Sequence, residues 1–338
     1  MQEAFALIQD DIDKVEVGIK EAVATEVTLI SNVGEYLLES GGKRFRPLAL
    51  LLSAKICGFD GDERIALAMV VEFIHTATLL HDDVVDNADL RRGKASANTV
   101  WGNGSSVLVG DYLLAKAMTI AVGQGNLDII RVLSEATSRM AEGEVRQLIN
   151  YSDIETTEET YLSVITDKTA VLFAAACKIP TLLAGVNGDR RVALERFGLD
   201  LGIAFQLIDD CLDYTSKNEE LGKTIGNDLR EGKVTLPLIK AFSLATADEK
   251  EILRAAIEDS DKKESVIKAG GLKENTANNN TDLEKVFAII NKYEGIDYTM
   301  NEARKRIESA KTALEIFAPN TERAALTAMA DFAINRTN

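Results

Sequence analysis

Only four prolines, Pro47, Pro180, Pro237 and Pro319, interrupt 338 residues, and this scarcity constrains the fold more than any other feature. Proline removes a helix hydrogen bond and clashes with the preceding turn, so its near absence lets long stretches run helically. The segments between are rich in Ala, Leu, Glu and Lys, all good helix formers. Alternating Val/Ile/Thr runs bounded by Asn-Gly or Asp-Gly are missing, which leaves nothing to build a sheet. The expectation is all-α. Thr156-x-x-Glu159, Thr246-x-x-Glu249 and Thr281-x-x-Glu284 each precede an apolar-periodic stretch and read as capping boxes that start helices. Loops are expected over 87–106, 215–233 and 270–280, where Gly, Asn and charged residues replace the apolar period.

A hydrophobic content of 46% is enough for a substantial core, and the chain reads as one domain over 1–338. Its formal charge of −16 would repel a phosphate backbone, so nucleic acid is not an expected partner. Cys57, Cys177 and Cys211 have neither metal-ligand spacing nor an even count, which suits a reducing cytoplasm. The first thirty residues lack a basic-then-apolar signal pattern, so no secretion signal is expected, and the apolar stretch 170–186 is broken by Lys178 and Pro180, so no membrane span is expected there.

Against this background one pattern recurs: an apolar run ending in Asp-Asp-x-x-Asp, first at Asp82, Asp83 and Asp86, then at Asp209, Asp210 and Asp213. Residues four apart share a helix face, so each cluster is a compact patch of carboxylates whose mutual repulsion a cation would relieve. Hard oxygen donors without His or Cys favour Mg2+ over zinc, completed by substrate phosphates. One such cluster alone reads more readily as a solvated helix end. Two copies, each emerging from an apolar run, point to the mouth of a greasy interior.

Positive charge is grouped at 41–47 (GGKRFRP), 91–94 (RRGK), Lys168-Thr169 and 222–233 (GKTIGNDLREGK). Arginine forks and lysine ammonium groups are the usual partners of diphosphate oxygens, so carboxylates and cations together suit two diphosphate ligands. Gly222-Lys223-Thr224 is not a P-loop, because the upstream glycine and its strand are missing. His75 lies two turns below Asp82 on nearly the same face, within reach of a phosphate, whereas His81 reads as a core residue.

Taken in order, GGKRFRP, LLHDDVVDNADLRRGK, GDYLLAKA, AEGEVRQL, Lys168-Thr169, FQLIDDCLDY and GKTIGNDLREGKVTLP resemble the trans-type (all-E) isoprenyl diphosphate synthases, within them the long-chain group, over nearly the whole chain. The resemblance implies a bundle of helices around a deep central cavity, paired as a homodimer. It implies Mg2+ on Asp82, Asp86 and Asp209, with Asp83, Asp210 and Asp213 as ligands or water-holding neighbours, and three ions per site when substrate is bound. Lys43, Arg46, His75 and Arg92 would then hold isopentenyl diphosphate, and Arg91, Lys168, Thr169, Gln206, Lys223 and Lys233 would surround an allylic diphosphate. The activity implied is head-to-tail condensation of these two substrates, with farnesyl diphosphate as primer, to a product near octaprenyl length that serves as a quinone side-chain precursor. The enzyme would be cytoplasmic, touching a membrane transiently to release product.

In that family a bulky aromatic four or five residues before the first cluster stops growth early. Thr78 and Ala77 stand there, both small. A helical wheel places Thr78 and Ile74 beneath Asp82 and swings Ala77 aside, so Ala77 rests on the resemblance. Met118 and Ile120 are candidates for the cavity floor. The competing readings are a shorter-chain synthase and a non-catalytic subunit that tunes a partner; the latter should have lost motif residues, and none is missing.

Overall fold

The structure, a computed structural model, describes residues 2–39, 41–42, 44–91, 93–215, 226–268 and 279–336. Lys43, Arg92 and Lys223 lie outside them, as does the 270–280 segment apart from its last two residues.

Helix follows helix along the described chain: α1 (Gln2–Val23), α2 (Thr28–Glu39), α3 (Phe45–Ile56), α4 (Glu63–Val85), α5 (Ala97–Trp101), α6 (Asn103–Gly123), α7 (Leu127–Ile149), α8 (Glu158–Ile165), α9 (Val171–Leu183), α10 (Asp189–Thr215), α11 (Asn227–Arg230), α12 (Leu236–Leu244), α13 (Ala247–Lys268), α14 (Asn279–Lys292), α15 (Gly295–Ala313) and α16 (Thr321–Asn335). A five-residue π-helical turn, Thr166–Ala170, joins α8 to α9. Among the described residues the only strands are a two-residue pair, β1 (Leu90–Arg91) and β2 (Lys94–Ala95), which form an antiparallel hairpin just after the first acidic cluster. The expected 87–106 loop is therefore shorter than its composition suggested, because α5 and α6 begin inside it.

The helix starts are partly those expected. Thr246 and Glu249 form a reciprocal box: the Thr246 amide donates to Glu249 Oε2 at 3.0 Å, and the Glu249 amide to Thr246 Oγ1 at 3.4 Å. At α8 the cap is Thr157 rather than Thr156, its hydroxyl accepting from the Thr160 amide at 3.2 Å. Adjacent threonines are equivalent by composition, so only the backbone path selects between them. α14 is already helical at Asn279, which puts Thr281 inside the helix and not at its cap.

Amphipathic outer helices bury one stripe, such as Ile129, Leu133, Ala136, Met140 and Gly143 on α7. Central helices bury nearly everything; Leu48, Leu50, Leu51 and Leu52 of α3 have no exposure at all. α9 and α10 meet backbone to backbone. A Cβ on Gly198 would stand 2.4 Å from the Phe173 carbonyl oxygen, and one on Gly202 2.6 Å from Ala170 Cα, so glycine at these two positions permits the approach.

Among the described residues two helices, α4 and α6, are long and apolar enough to cross a membrane by length and composition, and neither is the 170–186 stretch weighed in the sequence. The apolar window of α4 is 61% buried inside the bundle, as befits a core helix, and that of α6 is 33% buried.

Candidate active site

The two acidic clusters sit at the C-terminal ends of α4 and α10, whose apolar faces run back into the core. Each carboxylate has a different partner. Asp82 lies 3.9 Å from Lys168 Nζ, and Asp86 receives Lys233 Nζ at 2.7 Å. Asp83 is buried and forked by Arg91 of β1, whose Nε lies 2.7 and 2.9 Å from its two oxygens. Asp209 receives Arg336 Nη2 at 2.5 Å from beyond α16; that guanidinium also lies 3.6 Å over the Phe205 ring. Asp210 is buried and accepts from Tyr161 Oη and, at 2.8 Å, from Gln206 Nε2. Asp213 accepts the Asn227 and Asp228 amides at 3.2 and 3.1 Å, which ties the second cluster to α11.

Lys168 and Thr169 both project from the π-helical turn. Lys168 Nζ is held at 2.6 Å by Glu144 and by Gln147 Oε1, both on α7. Thr169 Oγ1 donates to Gln206 Oε1 at 3.0 Å. A chain of polar groups thus runs Thr169–Gln206–Asp210–Tyr161, and because the Thr169 proton is committed, its oxygen lone pairs remain to face a cation.

Burial dominates the electrostatics of the acidic groups. Burial, with Glu144 and Asp86 adding to it against the pull of Lys168, pushes Asp82 up to about 6. Burial, reinforced by Asp209 and Asp213, pushes Asp210 up to about 7 although Tyr161 and Gln206 stabilise its anion. Asp228 stands well above the carboxylate range for the same reasons, burial first and then Asp213 and Asp210. Burial disfavours the Lys233 ammonium, yet Asp86, Glu231 and Asp228 together hold it well above its usual range.

The donor set fits a hard divalent cation. Every candidate ligand is a carboxylate oxygen, and Asp82 and Asp86 share a helix face. Among the described residues no three ligand side chains converge closely enough to cage a metal by themselves. Magnesium commonly takes only one or two carboxylates and draws its other ligands from water and substrate phosphates, so the arrangement suits it.

Other expected residues are placed less directly. Arg46, buried near the start of α3, stacks its guanidinium 4.5 Å over Phe173. His75 is half-buried on α4. Ile74 and Ala77 are fully buried, Thr78 is half-buried with its hydroxyl donating to the His75 carbonyl at 2.8 Å, and Met118 and Ile120 of α6 are half-buried against the core.

Several site residues carried no assigned role from the sequence. Glu144 and Gln147 fall three apart on one face of α7, a spacing that was there to read in AEGEVRQL. Asp228 lies inside the GKTIGNDLREGK segment without having been singled out there, and Tyr161 and Arg336 had no distinguishing local pattern.

Comparison with known proteins identifies the family. The polyprenyl synthetase family model matches residues 27–270. Octaprenyl diphosphate synthase of Escherichia coli (strain K12) is 41% identical over 330 residues, 98% of this chain and 97% of the relative. The enzyme of the same name from Haemophilus influenzae is 40% identical over 336 residues, 99% of this chain and 97% of the relative. Among solved structures, polyprenyl synthase from Caulobacter crescentus CB15, complexed with calcium and isoprenyl diphosphate, superposes with a TM-score of 0.91 at 40% identity, covering 100% of this chain and 98% of that one. With two carboxylate clusters and their cations in one cleft, and similarity along almost its whole length, the chain belongs to the polyprenyl synthetase family and is a trans-type prenyltransferase.

Proposed function

We propose that this chain extends an allylic diphosphate, farnesyl diphosphate as primer, by repeated condensation with isopentenyl diphosphate to an all-trans product near octaprenyl length, destined for a quinone side chain. The observation that carries the reading is that cations and polar groups link the two clusters: Lys233 pairs with Asp86 beside Asp228, whose amide donates to Asp213, and Lys168 beside Asp82 adjoins Thr169, which reaches Asp210 through Gln206. Magnesium, three ions when both substrates are present, would be held by Asp82, Asp86 and Asp209 and would supply charge neutralisation for the departing diphosphate. Lys168 and Lys233 would turn from their carboxylate partners to diphosphate oxygens. Lys43, Arg46, His75 and Arg92 would orient isopentenyl diphosphate, with Arg91 and Lys223 on the allylic side. Thr169 and Gln206 present oxygen dipoles to the allylic cation. The new carbon–carbon bond forms as the allylic C–O bond breaks, and the proton lost from the isopentenyl unit goes to the released pyrophosphate. The working unit is a single-domain chain paired as a homodimer in the cytoplasm, meeting a membrane only to hand over product.

Incubation of purified protein with Mg2+, isopentenyl diphosphate and farnesyl diphosphate should yield octaprenyl-sized alcohols after dephosphorylation. Chains ending at geranylgeranyl size would replace this reading with a short-chain synthase, and no turnover at all would favour a regulatory subunit.

The raised carboxyls make a second expectation. A carboxyl whose folded pKa exceeds its unfolded value binds its proton more tightly when folded, so its contribution to stability is full below about pH 4 and is lost as pH rises towards 6 for Asp82 and 7 for Asp210. A divalent cation needs both deprotonated, so its binding strengthens over that window. The thermal stabilisation given by Mg2+ plus pyrophosphate should be clearly larger at about pH 8 than at about pH 5.5. Equal shifts in scanning fluorimetry would remove these carboxylates from the metal site.

A further inference from the structure

Lys168 and Thr169 stand on a π-helical turn, a conformation that is rarely stable by itself and often marks functional sites. What keeps it in place is α7. Midway along the contact, a Cβ on Gly143 would lie 2.6 Å from the Lys168 amide nitrogen, so α7 closes directly on the backbone of the turn. On the cleft side, Glu144 and Gln147 hold Lys168 Nζ. On the other side, Asp167 is taken from both flanks. Arg139 donates to its Oδ1 through Nε at 2.9 Å and Nη2 at 2.6 Å, while Arg146 donates to its Oδ2 and, at 3.3 Å, to Ser163 Oγ.

Arg139 and Arg146 are seven residues apart, two turns on one face of α7, so they straddle the carboxylate rather than stack on one side of it. Asp167 is 8% exposed, whereas the arginine side chains are 50% and 42% exposed and line an open cleft of about 600 Å3 on the outer surface. With the arginine partner of each pair open to solvent, the pairs add only modestly to stability. They do give direction: both carboxylate oxygens are gripped from α7, which restrains the side chain next to the Asp167–Lys168 peptide.

We infer that Arg139, Asp167 and Arg146 form a positioning clamp that aims Lys168 and Thr169 into the cleft. None of the three touches substrate; they act through the turn. The inference rests on the reading that Lys168 contacts the allylic diphosphate, and it adds the part of the molecule that keeps Lys168 in register. Small displacements of such groups are expensive, since about 1 Å can cost roughly a hundredfold in rate.

The test compares Arg139→Ala, Arg139→Lys, Asp167→Asn and Lys168→Ala with the unaltered protein, measuring KM separately for farnesyl diphosphate and isopentenyl diphosphate, together with Tm. Arg139→Ala alters a half-exposed residue and should fold normally. It and Asp167→Asn should raise the allylic KM by roughly tenfold, leave the isopentenyl KM unchanged and keep Tm within about 3 °C. Arg139→Lys keeps the charge without the fork, so it should resemble Arg139→Ala. Recovery by lysine, or both KM values moving together with a fall in Tm, would overturn the clamp. If Lys168→Ala raises the allylic KM and the clamp variants do not, the clamp alone fails. If Lys168→Ala leaves it unchanged, the site reading fails and takes the clamp with it.

Discussion

Asp82→Asn is expected to lower condensation by roughly 10³-fold at saturating Mg2+ while the protein melts at or slightly above its original temperature. The two halves of that expectation have separate causes. Turnover falls because a neutral amide lacks the anionic oxygen that would hold a cation against the diphosphate. Stability does not fall because, in the cation-free protein, the Asp82 carboxylate is a liability: burial, Glu144 and Asp86 all disfavour its charge. Lys168 is not orphaned by the change, since Glu144 and Gln147 each keep it at 2.6 Å. Steady-state kinetics and a melting curve on one preparation measure both. A folded variant turning over normally at saturating Mg2+ would sink the metal assignment.

Ala77→Phe should shorten the product to about three or four isoprene units. Each added unit buries more apolar surface, worth about 0.8 kcal/mol per CH2, so growth continues until the chain meets a wall. α4 carries the first acidic cluster at its end, and a chain growing back along it would pass Thr78, Ala77 and Ile74. Ala77 has no exposure, so a phenyl ring there must either enter the growing chain's space or strain the core by about 1–3 kcal/mol. Product chromatography and Tm separate these outcomes. Unchanged chain lengths with a native Tm would exclude Ala77 from the wall and leave half-buried Thr78, the residue favoured by helix geometry, as the one to enlarge next.

The cleft's internal pairing bears on both results. Lys168, Lys233, Arg91 and Arg336 each occupy a carboxylate that the reaction would assign to a metal or its surroundings. Diphosphate is more highly charged than any single carboxylate, so substrate and cation can exchange partners with this network without leaving either charge alone.

The sequence by itself determined the fold class and made the acidic half of the candidate site legible. Helical periodicity and the dearth of proline are local properties, and two copies of Asp-Asp-x-x-Asp are visible in any single reading of the chain. The basic groups were legible as a set because they stand out against a charge of −16. Which cation meets which carboxylate was not legible. The Lys233–Asp86 and Arg336–Asp209 pairs join residues 147 and 127 positions apart, and no period links them. The same holds for Tyr161 on Asp210 and for the two arginines that grip Asp167. Only the tertiary structure decided these contacts, because each joins segments far apart in the chain; for the grip on Asp167 the approach is set at Gly143, where a missing Cβ lets α7 rest on the backbone of the π-helical turn.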